Sequence, residues 1–199
     1  MAAQSWEIKR IMSEKLEYLL QHFAGIKEEQ LGEIVACFKP KTVKKNTVLL
    51  SEGNVCKEFY YVEAGCIRTY FITRQGHEKT RLVIPDCSIG TALTSFISQK
   101  PSFEVVDALE DTTLWSISHA NFYKLNNEFT AWKNFYTKIL EMAYSFQNSR
   151  LENLVTLSAK QRYDELLHNN PALVQRLSNK VLASYLDMTQ VTLSRLKSK

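Results

Sequence analysis

Apolar residues recur every three to four positions at both ends of this chain, and in short β-branched runs through its middle. Residues 4–24 place Ile8, Ile11, Met12, Leu16, Leu19, Leu20 and Phe23 on one side of a helix. Leu31, Ile34 and Val35 mark a second helix over Lys27–Cys37. Past Pro40 the period changes. Val48–Leu50, Phe59–Val62, Ile67–Ile72, Thr80–Ile84, Val105–Leu109 and Thr113–Ile117 read as strands. Gly53, Gly65, Gly76 and the Pro85-Asp86 pair stand between most of them as turn formers. Short strands at regular intervals, with no long helix until residue 119, predict a compact antiparallel β-barrel or roll.

A long helix is predicted from Phe129 to about Asn153. Trp132, Phe135, Ile139, Met142 and Phe146 follow a 3-4-3-4 spacing, and Tyr136, Leu140 and Ala143 form a second stripe beside it. One stripe can cover the β-domain, and the other needs a partner. The heptad-spaced five suit the coiled-coil seam of a homodimer; the alternative is one wide stripe buried within a single chain. Ser158-Ala-Lys-Gln161 is a capping box opening a further helix through Tyr163, Leu166 and Leu167, which Asn169-Asn170-Pro171 ends.

The segment Leu177 to Lys199, LSNKVLASYLDMTQVTLSRLKSK, reads as a helix-turn-helix. Ser178 caps a helix carrying Val181, Leu182, Tyr185 and Leu186; Asp187 and Met188 interrupt the pattern; Thr189 caps a second helix. Leu182, Ala183, Leu186 and Leu193 are the small core expected to fix the two helices. Polar residues between the apolar ones of the second helix suit insertion into a major groove. Charge agrees. Residues 150–199 hold 8 Lys and Arg against 4 Asp and Glu, whereas residues 1–149 hold 17 of each, so the net +4 lies in the last quarter.

Composition narrows the classes. No apolar run approaches the ~18 residues of a membrane span, and the N-terminus lacks a signal-peptide core, so a cytoplasmic protein is expected. Cys37, Cys56, Cys66 and Cys87 include no CxxC pair, and His22, His77, His119 and His168 are dispersed, so reduced structural thiols are expected and no metal site. A cupin-like metal enzyme would need clustered imidazoles, and His77-Glu78 is the only nearby pair. The chain is not expected to be an enzyme.

The order helix, β-roll, long helix, helix-turn-helix resembles the Crp/Fnr family of bacterial transcription regulators over nearly the whole chain. LLSEGNVCKEFYYVEAGCIRTYF resembles the family's strand–Glu-Gly–strand–Gly pattern, with Glu52-Gly53 and Gly65 at the turns. LENLVTLSAKQRYDELLHNNPALVQRLSNKVLASYLDMTQVTLSRL closely resembles a Bacteroidetes-like branch whose sequences stop soon after the recognition helix, without a C-terminal wing. The resemblance implies an α+β protein. Residues 1–128 would form an antiparallel β-roll, the cyclic nucleotide-binding-like double-stranded β-helix, with flanking helices; 129–153 would be the dimerisation helix and 154–199 the all-α DNA-binding domain.

It also implies particular residues. Family members that bind cyclic AMP follow a Gly-Glu pair with a short helix and an Arg for the phosphate. In IGTALTSFISQKPSFEVVDAL the effector-pocket positions are Gly90, Thr91, Ala92, Leu93, Ser102 and Phe103. Thr91 replaces the Glu, Ser102 stands where the Arg is expected, and no Arg lies between Arg81 and Arg150. A buried phosphate would lose a contact worth roughly 1.5–3 kcal/mol, so cyclic AMP is not expected to bind in the family's manner and no cofactor is identified. An unknown effector is left open: Thr91, Thr94, Ser95, Ser98 and Ser102 either line a pocket or serve as caps and surface residues. The first cysteine, Cys37, is nineteen residues from the next, unlike the N-terminal cluster of the iron–sulfur branch, and His77 is a lone candidate haem ligand.

On the second helix, Gln190, Val191 and Arg195 match the family's base readers; Gln pairs with adenine and Arg with guanine, while Val191 offers only apolar contact. Thr189, Thr192 and Ser194 suit phosphate contacts, and Lys180, Lys197 and Lys199 electrostatic ones. The implied partners are double-stranded DNA bearing an inverted repeat, a second copy of the chain, and RNA polymerase. The rival reading is a Crp-like ligand-binding or interaction module with weak or lost DNA binding, supported by Asp187 at the turn where the family often has Gly. Aspartate tolerates a left-handed backbone, so the turn is expected to hold.

Overall fold

The computed structural model describes residues 14–23 and 25–198. The helix over 14–23 (α1) and α2 (Glu28–Ala36) precede the strands β1 (Phe38–Val43), β2 (Val48–Leu50), β3 (Glu58–Ala64), β4 (Cys66–Ile72), β5 (Glu78–Pro85), β6 (Ser88–Gly90), β7 (Glu104–Ala108) and β8 (Thr112–Ser118). A short helix α3 (Leu93–Ser98) lies between β6 and β7. The strands form two antiparallel four-stranded sheets, ordered β1-β8-β3-β6 and β2-β7-β4-β5. Their facing sides bury Val62, Ile67, Ile84, Val106, Ala108, Leu114 and Ile117, so the short β-branched runs form the walls of a roll. The early part of the first predicted helix, including Ile8, Ile11 and Met12, lies outside the described residues.

Gly53, Gly65 and Gly76 all stand at positive φ, as turn formers should. Gly65 is the most constrained: at φ +103° an added Cβ would lie 2.7 Å from the Thr112 Cα. Two strands are not legible in the hydrophobic pattern. β1 reads FKPKTV, buried only at its ends, and it pairs only with β8, an edge position at which Pro40 is tolerated. β6 is only three residues long.

After α4 (His119–Glu128), the long helix α5 runs Thr130–Thr156. Here the dimer expectation needs correction. Trp132, Phe135 and Ile139 are buried against the roll of their own chain, with Trp132 edge-on to Phe38, Phe122 and Phe135 at 5.2–6.1 Å between ring centroids. Phe146 is half-buried on a cavity wall, and only Met142 is exposed. The heptad-spaced stripe is therefore the one the roll takes, because an aromatic shelf lies beside it. A different stripe is left outward: Leu140, Tyr144, Leu151 and Val155, all exposed.

The C-terminal helices are α6 (Ala159–Asn169), α7 (Pro171–Arg176), α8 (Asn179–Tyr185) and α9 (Gln190–Lys197). The Ser158–Gln161 capping box forms as predicted, and Pro171 opens α7 behind the Asn170 cap. Tyr163, Leu173, Val174, Leu177, Val181, Leu182, Leu186 and Leu193 build a second core that includes Cys66 and Val83 of the roll. The helices thus pack onto the outer face of the β4–β5 pair. Among the described residues, no helix is long and apolar enough to cross a membrane.

Candidate nucleic-acid interface and sensor cavity

The helix-turn-helix forms with the caps expected. The Ser178 hydroxyl accepts from the Val181 amide, and the Thr189 hydroxyl from the Thr192 amide at 3.1 Å. Between them Asp187 adopts φ +51°, so its place at the turn is met by left-handed backbone. Leu193 is fully buried beneath α9 and sets which side faces out. Gln190, Val191, Ser194 and Arg195 are exposed and, at i and i+4 spacing, share one face. The Arg195 guanidinium makes no hydrogen bond or ion pair among the described residues.

The other candidate contacts are more committed. The hydroxyls of Thr189 and Thr192 bond each other at 2.9 Å within the cap. Lys197 donates to Asn179 Oδ1 at 2.7 Å, tying the end of α9 to the start of α8. Lys180 pairs with Glu78 of β5 at 2.7 Å, and Lys199 lies outside the described residues. Much of the basic surplus in fact fastens this domain to the roll. Arg176 pairs with Asp86 and Glu110, and Arg150 donates to the Thr80 and Tyr185 carbonyls; Arg162 is spent within the C-terminal helices, on the Leu157, Leu186 and Asp187 carbonyls. Desolvation drives the Arg150 pKa down from its usual value, and Arg176, held by two carboxylates, is pushed up.

The roll opens along one seam. β5 pairs only with β4 and β6 only with β3, and a cavity of about 430 Å³ lies beside these two edges, covered by α5 and α1. Gly90, Thr91 and Leu93 line it, as read from the sequence. The remaining cassette positions do not. Ala92 is fully buried in the core, and Phe103 is 79% exposed on the surface. The Ser102 hydroxyl is closed into a turn, donating to the Glu104 carbonyl and accepting from its amide, both at 2.9 Å. Even Thr91 turns its hydroxyl to the Glu58 carbonyl at 2.8 Å and lies 3.0 Å from Cys56 Sγ, so it bonds the wall. Ser95 likewise bonds the Cys56 amide and the Lys100 carbonyl, while Thr94 and Ser98 are exposed.

One functional group was missed. Arg81 lines the cavity, although it precedes Gly90 in the chain and a cassette arginine is sought after it. The cause is a β-bulge: Thr69 pairs with Leu82 and Tyr70 with Thr80, leaving Arg81 as the extra residue. It forms an ion pair with Glu104, whose neighbour Val106 is in the roll's core. Leu82 and Ile84 follow it along the wall, and the absent Cβ of Gly90 leaves room for Ile84, whose Cδ1 would stand 2.6 Å from it.

Comparison with known proteins places this architecture among known folds. Residues 40–128 match the model of the cyclic nucleotide-binding domain family. A mutant of CooA from Carboxydothermus hydrogenoformans is similar at TM-score 0.70 and 20% identity, over 90% of this chain and 82% of that one. A Crp/Fnr-family protein from Eubacterium rectale gives 0.69 and 21%, over 87% and 83%. The catabolite activator protein of Thermus thermophilus gives 0.59 and 17%, over 90% and 84%. The fold is that of the Crp/Fnr regulators. No match was found among curated proteins.

Within this Crp-like frame the other sensing chemistries find little support in the side chains. His77 is exposed at the β4–β5 turn and is not on the cavity wall, and its neighbour Glu78 is engaged by Arg68 and Lys180. Among the described residues no group of three or more His, Cys, Asp or Glu side chains could hold a metal ion. All four cysteines are free, and burial pushes the Cys66 thiol up to about 12, which keeps it protonated and unreactive.

Proposed function

We propose that this chain is a dimeric, DNA-binding transcription regulator of the Crp/Fnr type whose sensor cavity does not take cyclic AMP in the family's manner. The observation that carries the reading is the exposed face of α9, where Gln190, Val191 and Arg195 stand together above a buried Leu193 and Arg195 has no partner among the described residues. A charged side chain kept free on a capped helix is available to guanine O6 and N7. The dimer is assigned to the outward stripe of α5, since Leu140, Tyr144, Leu151 and Val155 form a row that the chain itself leaves uncovered. Against cyclic AMP stand the closed Ser102 turn and the Thr91 hydroxyl bonded into the wall, which leave neither position to hold phosphate or ribose.

Selection of bound fragments from random duplex DNA tests the reading, with an inverted repeat as the expected product because a two-fold dimer presents two recognition helices. Arg195→Ala is expected to cost about 1–3 kcal/mol on the selected site and to relax discrimination. Lys197→Ala is expected to weaken all DNA alike and to lower the salt dependence by about one ion. Equal losses on selected and random duplexes for both variants contradict the assignment.

A further inference from the structure

We infer that the cavity beside β5 and β6 takes a small amphipathic monoanion, an apolar body bearing one carboxylate or similar acid group, with Arg81 as its anchor. This rests on the roll being the sensor half of a regulator, and it names the class of ligand sensed. At about 430 Å³ the cavity has the size of a small-molecule site. Leu82, Ile84, Ile89, Met142 and Phe146 make its walls apolar, which suits an alkyl or aromatic body. A nucleotide's sugar hydroxyls and base edges would be desolvated there without partners.

The acid group is argued from Arg81. Arg81, the extra residue of the bulge, lines the cavity, and its side chain is 19% exposed. Nε donates to Glu104, and the two terminal nitrogens have no hydrogen-bond partner among the described residues. A guanidinium presents five donors and can serve two carboxylates at once. This protein builds that arrangement elsewhere: Arg68 holds Asp107 and Glu78 together, and Arg176 holds Asp86 and Glu110. Glu104 occupies one side of Arg81 in the same way, and a ligand carboxylate would take the other. Glu104 cannot withdraw far, because its backbone amide and carbonyl are both bonded to Ser102.

The position also couples to the output domain. Leu82 and Ile84 face the cavity, while on the same strand Thr80 receives α8 through a 2.8 Å bond from its amide to the Ser184 hydroxyl and Val83 lies in the second core. One strand is the wall of the pocket and the dock of the helix-turn-helix.

Isothermal titration of the full chain with decanoate, decanol, decyltrimethylammonium and cyclic AMP tests the proposal. Saturable binding of one decanoate per chain is expected, about tenfold or more tighter than decanol, with the cation and cyclic AMP weaker still. Arg81→Gln should remove the preference for decanoate over decanol, Glu104→Gln should strengthen decanoate binding, and Ala143→Trp, which fills the cavity from α5, should abolish it. Decanol or cyclic AMP binding as tightly as decanoate overturns the proposal, as does decanoate binding unchanged by Arg81→Gln or Ala143→Trp. Should Arg81→Gln fail to fold by circular dichroism, the ligand comparison on the parent chain and Ala143→Trp decide alone. Decanoate binding in a chain that selects no DNA site would refute the regulator and leave the pocket standing.

Discussion

Single residues carry constraints of very different visibility. Gly65 is legible as a turn glycine, and the structure adds why nothing else fits: positive φ combines with the Thr112 backbone at the position of a Cβ. Gly65→Ala is expected to destabilise by about 2–4 kcal/mol, strain and overpacking together, measured as a fall in the urea midpoint at unchanged slope. Glu63 is the opposite case, a carboxylate at the end of β3 that composition cannot distinguish from a surface charge. Burial raises its pKa from 4.5 to about 6, and Lys15, 3.8 Å away, offsets this only in part. The folded state therefore holds a proton that the unfolded chain has lost between pH 4.5 and 6. Stability should fall as pH rises through that window, and Glu63→Gln should remove this fall and raise stability above pH 6 in thermal unfolding. Arg81 was not legible as a pocket residue, because only the register shift between β4 and β5 sends it there.

At the level of elements, periodicity was a good guide to existence and a poor one to partnership. The ranges of β2, β3, β4, β5, β7 and β8 agree with the predicted runs to within two residues, whereas β1 was invisible because it buries only its two end residues, and β6 because it has three residues and none fully buried. In α5 the heptad-spaced stripe was read but the outward row was not: of the second predicted stripe only Leu140 belongs to it, since Tyr136 bonds Tyr123 and Ala143 lines the cavity. What the heptad-spaced stripe meets depends on the aromatic shelf of Phe38 and Phe122. Leu151→Arg combined with Val155→Arg is expected to dissociate the proposed dimer to monomer in sedimentation equilibrium while leaving thermal unfolding nearly unchanged, since both side chains are more than 60% exposed. Arginine at the buried Phe135 would instead unfold the roll, which separates the two stripes.

For the whole molecule, the docking of the C-terminal helices on β5 ties the two cores together. Lys79 pairs with Asp187, Lys180 with Glu78, and Ser184 bonds both Glu78 and Thr80, so α8 lies on β5 as a fastened part. Arg150 is the central tie, donating to a carbonyl on each side and stacking on Tyr185 at 4.8 Å. Arg150→Met leaves those two carbonyls short of a donor at a cost of about 1–3 kcal/mol. It should appear as faster hydrogen exchange at the α8 amides, with exchange in the β3–β8 pair unaltered.

Six of the eight strands, the turns, the caps of α6, α8 and α9 and the exposed face of α9 were determined by the sequence alone. Each depends on residues within a few positions of one another, where capping and periodicity act. The tertiary structure decided which stripe of α5 stays open, which basic residues are tied to the roll, and that Arg81 reaches the cavity. These are contacts between distant segments, set by sheet register and by what each buried face meets, and neighbouring residues carry no record of them.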